Sequence, residues 1–425
     1  MKELVIGFLG CGNVGCGVWK LLKDFEQELN GRNGLRIRVK RILVRDVNKQ
    51  RGASLPRELL TTSPDDVLTD PEISLVVEYL GGEQPAADYM LKALAHKKTV
   101  VTANKVAVAL NWEALQSTAQ ANGVGLYYEA SVCGAIPIIH TLTHSLQGNR
   151  IGKLMGIING TTNYILSRMS EQGEAYDGVL KDAQRLGLAE PDPATDVEGL
   201  DAAYKLSIMA SLAFNTRVPF SAVYCEGITH ITPTDIACGK ELGYVLKLLG
   251  IAKHENATIE ARVHPTFVPK EHPIASVSGA YNAVYVTGSA CREMMLQGRG
   301  AGDMPTASAI LSDILKAASA EKHYHPPFSK AVPDEKRPIF SDNWESAYFI
   351  RLAAIDAPGV LAKVAGCFAN ENVSIASMLQ KETVTDGRVP LIFITHKAHE
   401  RSMHAALKAL DESVARVESL IRVEG

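Results

Sequence analysis

Several features are scarce in this 425-residue chain, and each scarcity excludes something. No apolar run approaches the ~20 residues of a membrane span, so no membrane partner is expected. The seven cysteines, at positions 11, 16, 133, 225, 238, 291 and 367, are odd in number, scattered, and contain no CxxC pair. That argues against a disulfide framework and against structural zinc, and a reducing cytoplasm is the expected compartment. The net charge of -3 is too small to point to nucleic acid or an anionic surface. Low-complexity tracts and fixed-period repeats are missing too. The chain enters an apolar run almost at once, so no signal peptide is expected. What is there is a globular composition, 46% apolar, over a length that calls for two or three domains.

The most informative stretch is Gly10-Cys11-Gly12-Asn13-Val14-Gly15. It follows the apolar run Leu4–Leu9 and precedes a helical pattern from Val18 to Leu29. Strand, glycine-rich turn and helix in that order make a dinucleotide-binding fingerprint. The first glycine permits the tight turn, the second lets backbone approach a pyrophosphate, and the third allows helix to pack on strand. Free N–H groups at the helix start then face the phosphates.

Strands are expected at Leu4–Leu9, Ile37–Val44, Leu75–Tyr79, Thr99–Thr102 and Gly125–Tyr128, with helices near 13–29, 84–96 and 111–122. That alternation predicts an α/β fold, a Rossmann-type doubly wound parallel sheet over residues 1–130. A helix at Ala307–Ala320 is expected to complete it. After Pro137 the texture changes. Helices near 161–173, 175–186, 200–214 and 234–249 mix with strand-like Lys153–Ile158 and Ala283–Thr287, giving an α+β substrate domain over 131–306. Residues 323–345, with Pro326, Pro327, Pro333 and Pro338, read as a linker. Residues 346–425 then run βαββαβ, the order of a ferredoxin-like module.

The second strand ends Val44-Arg45-Asp46, with Lys49 and Arg51 beyond. Arg45 near the ribose position suits the 2′-phosphate of NADP. A one-residue change of register brings Asp46 there instead and suits NAD. Further on, Glu190, Asp192, Asp196 and Glu198 crowd a stretch broken by Pro191 and Pro193, which predicts a loop. A helix follows from Leu200, with Asp201 and Lys205 four apart on one face. Clustered carboxylates bind hard divalent ions. Alternatively they grip an ammonium group while the lysine moves a proton. A solvated loop with a surface ion pair is a third reading.

Taken together, these segments resemble the homoserine dehydrogenases, in the monofunctional form with a C-terminal ACT domain. The resemblance rests on the glycine motif, Val101-Thr102-Ala103-Asn104-Lys105, Tyr128-Glu129-Ala130-Ser131-Val132, Gly156 to Asn163, the acidic stretch through Lys205, and Gly298-Arg299-Gly300-Ala301-Gly302 with Pro305-Thr306-Ala307. It implies interconversion of L-homoserine and L-aspartate 4-semialdehyde with NADP or NAD. It makes Lys205 the acid/base, placed with substrate by Asp201, and sets Lys105 where nicotinamide meets substrate, as a rival proton carrier. Glu190, Asp196, Gly160 and Thr161 hold substrate. Gly10, Gly12, Asn13, Val14, Gly15, Arg45, Lys105, Gly300 and Gly302 contact cofactor. The backbone of Glu129, Val132, Gly134 and Ile136 holds a monovalent cation such as sodium. Ile355 to Leu361 and Asn372 to Ile375 resemble ACT junctions, with L-threonine as effector and a homodimer or homotetramer as the assembly.

Two other readings compete. A semialdehyde dehydrogenase would use Cys133 as nucleophile, but no His or cation beside it in sequence activates a thiolate. A non-catalytic amino-acid sensor would not need the glycine turn, Lys105 and Lys205 together.

Overall fold

The computed structural model describes residues 2–52, 54–328, 338–381 and 387–424. Residues 329–337 of the expected linker, Pro333 among them, lie outside the described residues. The chain divides into two compact units. One comprises residues 1–154, 204–223 and 282–338, the other 155–203, 224–281 and 339–425.

The first unit begins with six parallel strands: β1 (Lys2–Leu9), β2 (Leu35–Leu43), β3 (Leu60–Thr61), β4 (Leu75–Glu78), β5 (Thr99–Thr102) and β6 (Leu126–Tyr127). Their spatial order is β3-β2-β1-β4-β5-β6. The order reverses beside β1, the crevice where such sheets bind dinucleotides. The helices are α1 (Asn13–Asp24), α2 (Glu26–Asn33), α3 (Asp65–Leu68), α4 (Ala86–Ala95), α5 (Lys105–Leu110) and α6 (Trp112–Asn122). Strands β4 and β5 are buried throughout, which is why they read as continuous apolar runs. The long helix Asp303–Ser319 returns to this sheet. Its Ala307, Ile310 and Ile314 share one core with Ile6 and Phe8 of β1 and Val18 of α1. Gly17 makes the close approach possible, because a methyl there would stand 3.1 Å from the Ala307 side chain and 3.2 Å from the Asp303 carbonyl.

The second unit is built on a long antiparallel hairpin, Tyr244–Glu255 with Thr258–Pro269. Here one expectation fails. The helix expected over 234–249 ends at Glu241, and Tyr244 opens a twelve-residue strand. Gly243, left-handed at φ 84°, breaks the chain between them. The apolar run that follows is buried on both faces of the hairpin, and a run so placed has no helical or strand period to read.

The C-terminal residues form the expected βαββαβ module. Its strands stand in the order Ala415–Val423, Glu345–Ile355, Arg388–Thr395, Ile375–Gln380. The helices Val360–Asn370 and Glu400–Lys408 cover one face, around Tyr348, Phe368, Phe393 and Met403. The module is no appendage within this unit. Its last strand pairs in parallel with the hairpin, Thr266 opposite Arg422 and Phe267 opposite Val423.

Candidate active site

At the glycine turn, Gly10 sits at φ 95° and donates its N–H to the Leu43 carbonyl at 3.0 Å. Gly12 starts α1 without a side-chain cap, so the first helical N–H groups are left for an anion. A methyl on Gly12 would meet nothing within 4 Å, whereas one on Gly15 would stand 3.3 Å from the Tyr79 ring. Gly12 therefore faces the open site and Gly15 faces the packing. A cleft of about 590 Å³ opens here, lined by Gly10, Gly12, Asn13, Arg45, Lys49 and Arg51 among others. Asp46 lines it too, but its carboxylate accepts the Asn48 N–H at 2.8 Å and its carbonyl accepts Arg51 at 2.6 Å.

Lys105 opens α5 at the C-terminal end of β5. Its position is fixed from below by groups to which sequence reasoning gave no role. Asn104 caps the helix through the Ala107 N–H and donates to the Gly82 carbonyl at 2.7 Å. Its own N–H donates to Thr102, whose hydroxyl donates to Glu78 at 2.5 Å. Glu78 is wholly buried, and that burial raises its pKa.

Lys205 lies one turn after Asp201 on the helix Leu200–Ala213. Both are buried, at 8% and 4% exposure, which removes the surface ion pair as an explanation. Arg217 ties this helix to that of Lys105. It donates to Ser207 at 3.1 Å and Ser211 at 3.3 Å on one side, to the Ala109 carbonyl at 2.6 Å on the other, and lies 5.3 Å from the Trp112 ring. A lone arginine between two helices carries no sequence signal for that task.

The acidic stretch differs from the loop expected for it. Ala194–Val197 forms one helical turn carrying Asp196. Pro193 bars helix before this point only, and its fixed φ suits a helix start. Asp196 and Asp201 come together through Asn159. Its amide donates to Asp196 at 2.8 Å and to Asp201 at 2.9 Å, while its oxygen accepts the Thr162 N–H at 2.8 Å and the Thr162 hydroxyl at 2.9 Å. Every donor and acceptor position of that amide is used. Asn159 stands inside a motif noted in the sequence, yet only the tertiary contact reveals its use.

Gly160 is the first residue of the helix Asn159 caps, and the Thr161 hydroxyl donates to the Leu188 carbonyl at 2.7 Å. Glu190 is exposed, and its carbonyl accepts Gln184 at 3.1 Å. Among the described residues no group of three or more His, Cys, Asp or Glu is placed to hold a metal ion.

Residues 129–136 and 298–302 interlock. The Ala135 N–H donates to the Arg299 carbonyl at 3.1 Å, and a methyl on Gly134 would stand 2.7 Å from the Gly300 carbonyl. Gly300 is buried against the Asn282 amide, with which any side chain would collide. Gly302, at φ 120°, starts the helix Asp303–Ser319. The next residues of that helix, Asp303 and Met304, line a second cleft with Asn13, Cys16 and Gly17. Cys133 is fully buried at φ 56°, an unsuitable setting for a nucleophile that must meet substrate. No helix among the described residues is long and apolar enough to cross a membrane.

Known proteins share this arrangement from end to end. The family described as "Homoserine dehydrogenase, NAD binding domain" matches residues 10–129, "Homoserine dehydrogenase" matches 137–315, and "ACT domain" matches 348–414. The homoserine dehydrogenase of Bacillus subtilis (strain 168) is 41% identical over 429 residues, covering 100% of this chain and 99% of that protein. The Synechocystis homoserine dehydrogenase is 43% identical over 434 residues, covering 98% and 99%. The solved structure of a homoserine dehydrogenase from Thiobacillus denitrificans superposes with a TM-score of 0.92 at 42% identity, covering 100% of this chain and 99% of that one. A glycine turn for a dinucleotide, a helix that carries buried Asp201 and Lys205 four residues apart, and likeness along the whole length have one explanation: the chain belongs to the homoserine dehydrogenases, NAD(P)-dependent oxidoreductases, in the form that carries a regulatory ACT domain.

Proposed function

We propose that Lys205 is the acid/base of the homoserine reaction and that Asp196 and Asp201 grip the substrate's ammonium group. The observation that carries this is Asn159 bonded to both carboxylates, of which Asp201 lies one helical turn before buried Lys205. Two carboxylates gathered by one amide present acceptor oxygens that suit a substrate ammonium. Glu190, Gly160 and Thr161 border the same acidic stretch and complete the substrate set. When bound, the nicotinamide supplies or takes the hydride. As the aldehyde oxygen gains charge, the Lys205 ammonium stabilises it and gives it a proton. Alcohol oxidation needs the neutral amine instead, which takes up the alcohol proton. Lys105, anchored at the sheet edge, orients the reacting groups. Substituting Asp196→Asn or Asp201→Asn tests the reading. Each should raise the KM for homoserine about tenfold or more while leaving the KM for cofactor unchanged. An unaltered homoserine KM in both variants contradicts it.

Gly10, Gly12 and Asn13 line the cleft for the pyrophosphate, Val14 and Gly15 hold that turn against the sheet, and Gly302 lies where the neighbouring helix begins. Gly300 serves by close packing. NADP is the preferred cofactor: Arg45, Lys49 and Arg51 gather on the cleft, while the Asp46 carboxylate is already engaged. The backbone of Glu129, Val132, Gly134 and Ile136 suits a monovalent cation. Two left-handed residues in succession, Cys133 and Gly134, curl that segment. Nearby, the buried Asn282 amide has no hydrogen-bond partner among the described residues and would welcome an ion or its water.

L-threonine is the proposed effector of the ACT module, with Asp356 to Gly359 at its first turn, and the enzyme works as a homodimer or homotetramer in the cytoplasm. Seven unbridged cysteines suit that compartment. Titrating L-threonine against the intact enzyme and Asp356→Ala tests the effector. Equal inhibition of the two proteins places its site elsewhere.

A further inference from the structure

The second unit holds a chain of contacts, centred on buried Arg422, that lies outside the residues assigned to the reaction. At its outer end, Arg422 on the module's last strand is 1% exposed. Its guanidinium binds Glu226 and Glu400, and lies 5.3 Å from the Tyr224 ring. Glu400 also accepts the Tyr348 hydroxyl at 2.8 Å and faces His404 at 3.0 Å, both within the module. Glu226 accepts the Tyr224 hydroxyl at 2.9 Å, faces His230 at 3.3 Å, and is pinned to the hairpin by its N–H on the Val263 carbonyl at 2.8 Å.

At its inner end, the segment around Glu226 supports the acidic stretch. The Ile228 N–H donates to the Val197 carbonyl at 2.8 Å, and the Cys225 thiol donates to the Glu198 carbonyl at 3.2 Å. Gly227 touches the same stretch so closely that a methyl there would stand 2.6 Å from the Glu198 Cα. Gly199, at φ 85°, leaves only 3.0 Å between such a methyl and the Cys225 sulfur. Residues 224–228 are thus wedged between the backbone that carries Asp196 and the last strand of the ACT module.

We propose that Glu226, held by Arg422, is a positioning residue through which the ACT module sets the geometry of the substrate carboxylates. The arrangement runs from a module helix through the Glu400–Arg422–Glu226 bonds, along the backbone of residues 225–228, and through the Cys225 and Ile228 hydrogen bonds to the turn that carries Asp196. An effector that shifts the strand Ala415–Val423 or the helix Glu400–Lys408 acts on this pair first. The coupling is reciprocal, so homoserine also alters effector affinity. This inference rests on Asp196 and Asp201 being the substrate's ligands.

The test uses the full-length enzyme with Glu226→Gln, Arg422→Lys and the double variant Glu226→Gln/Arg422→Gln. Glu226→Gln should raise the homoserine KM about tenfold, with kcat and the cofactor KM within about twofold. Arg422→Lys keeps the charge and should retain most of the wild-type KM. The double variant should resemble Glu226→Gln rather than multiply the single effects. Tyr224→Phe, which removes one hydroxyl from the pair, should give a smaller KM increase and guards against misfolding of the others. A merely structural role would lower kcat through loss of active protein and leave the homoserine KM alone, which overturns the proposal. An unchanged KM in Glu226→Gln, where Asp196→Asn does raise it, overturns the coupling but spares the substrate site.

Discussion

Asn159 spends both amide hydrogens on carboxylates and both oxygen lone pairs on a helix cap, so its removal should be felt twice. Asn159→Ala should cost about 1–3 kcal/mol of stability, because Asp196 and Asp201 lose their shared donor. The homoserine KM should rise in parallel, and thermal melts beside steady-state kinetics check both. Arg45 allows a cleaner separation. Arg45→Ala should raise the NADPH KM about tenfold while leaving the NADH KM alone. Equal effects on the two cofactors remove Arg45 from 2′-phosphate recognition. A third residue predicts pH dependence. His264 is fully buried, and desolvation, helped by the charges of Arg422 and Arg262, lowers its pKa from 6.5 to about 3, with Glu226 acting weakly the other way. The unfolded chain takes up that proton below about pH 6.5 and the folded chain does not, so stability falls as pH drops toward about 3. Glu129 and Asp313, both pushed up to about 7 by burial, oppose this by favouring the folded state as pH falls through 7. Their contribution is the same in His264→Gln, so that variant should show a shallower loss of Tm between pH 6.5 and 4 than the wild type.

Elements were legible where their signal is local. The glycine turn reads directly, since strand, left-handed Gly10 and helix occupy consecutive residues. Strand Thr99–Thr102 and the βαββαβ order of the C-terminal module read almost as well. The run from Tyr244 did not, because an apolar segment buried in a hairpin carries no period. Nor did the short helical turn at Asp196, where a proline that reads as a break in sequence stands at the start of the turn. Contacts across long separations were invisible altogether. Arg217 is such a case, since its partners Ala109 and Ser207 come from different elements. Arg217→Met should preserve packing on Trp112 but release the helix of Lys205 from that of Lys105. The expected result is a fall in kcat larger than any rise in either KM, and rate measurements under saturating substrate check it.

For the whole chain, the ACT strand paired to the hairpin changes what a truncation means. Arg262, wholly buried, binds Glu424 and Glu260 and reaches Ser346 at 3.4 Å. Removing residues 346–425 deletes Glu424 and Ser346 and strips Arg422 from Glu226. Breaking one side of a buried ion pair costs about 3–5 kcal/mol, so the shortened enzyme should melt far lower or fail to fold, as calorimetry or refolding yield will reveal. Point variants are therefore the sound probe of regulation. The central claim, a nicotinamide and an amino alcohol served by one buried lysine, is tested most directly by Lys205→Ala. It should bind NADPH with wild-type affinity in a fluorescence titration, yet lose about 10²–10⁴-fold in turnover of aspartate semialdehyde. Turnover near the wild-type rate in that variant contradicts the account.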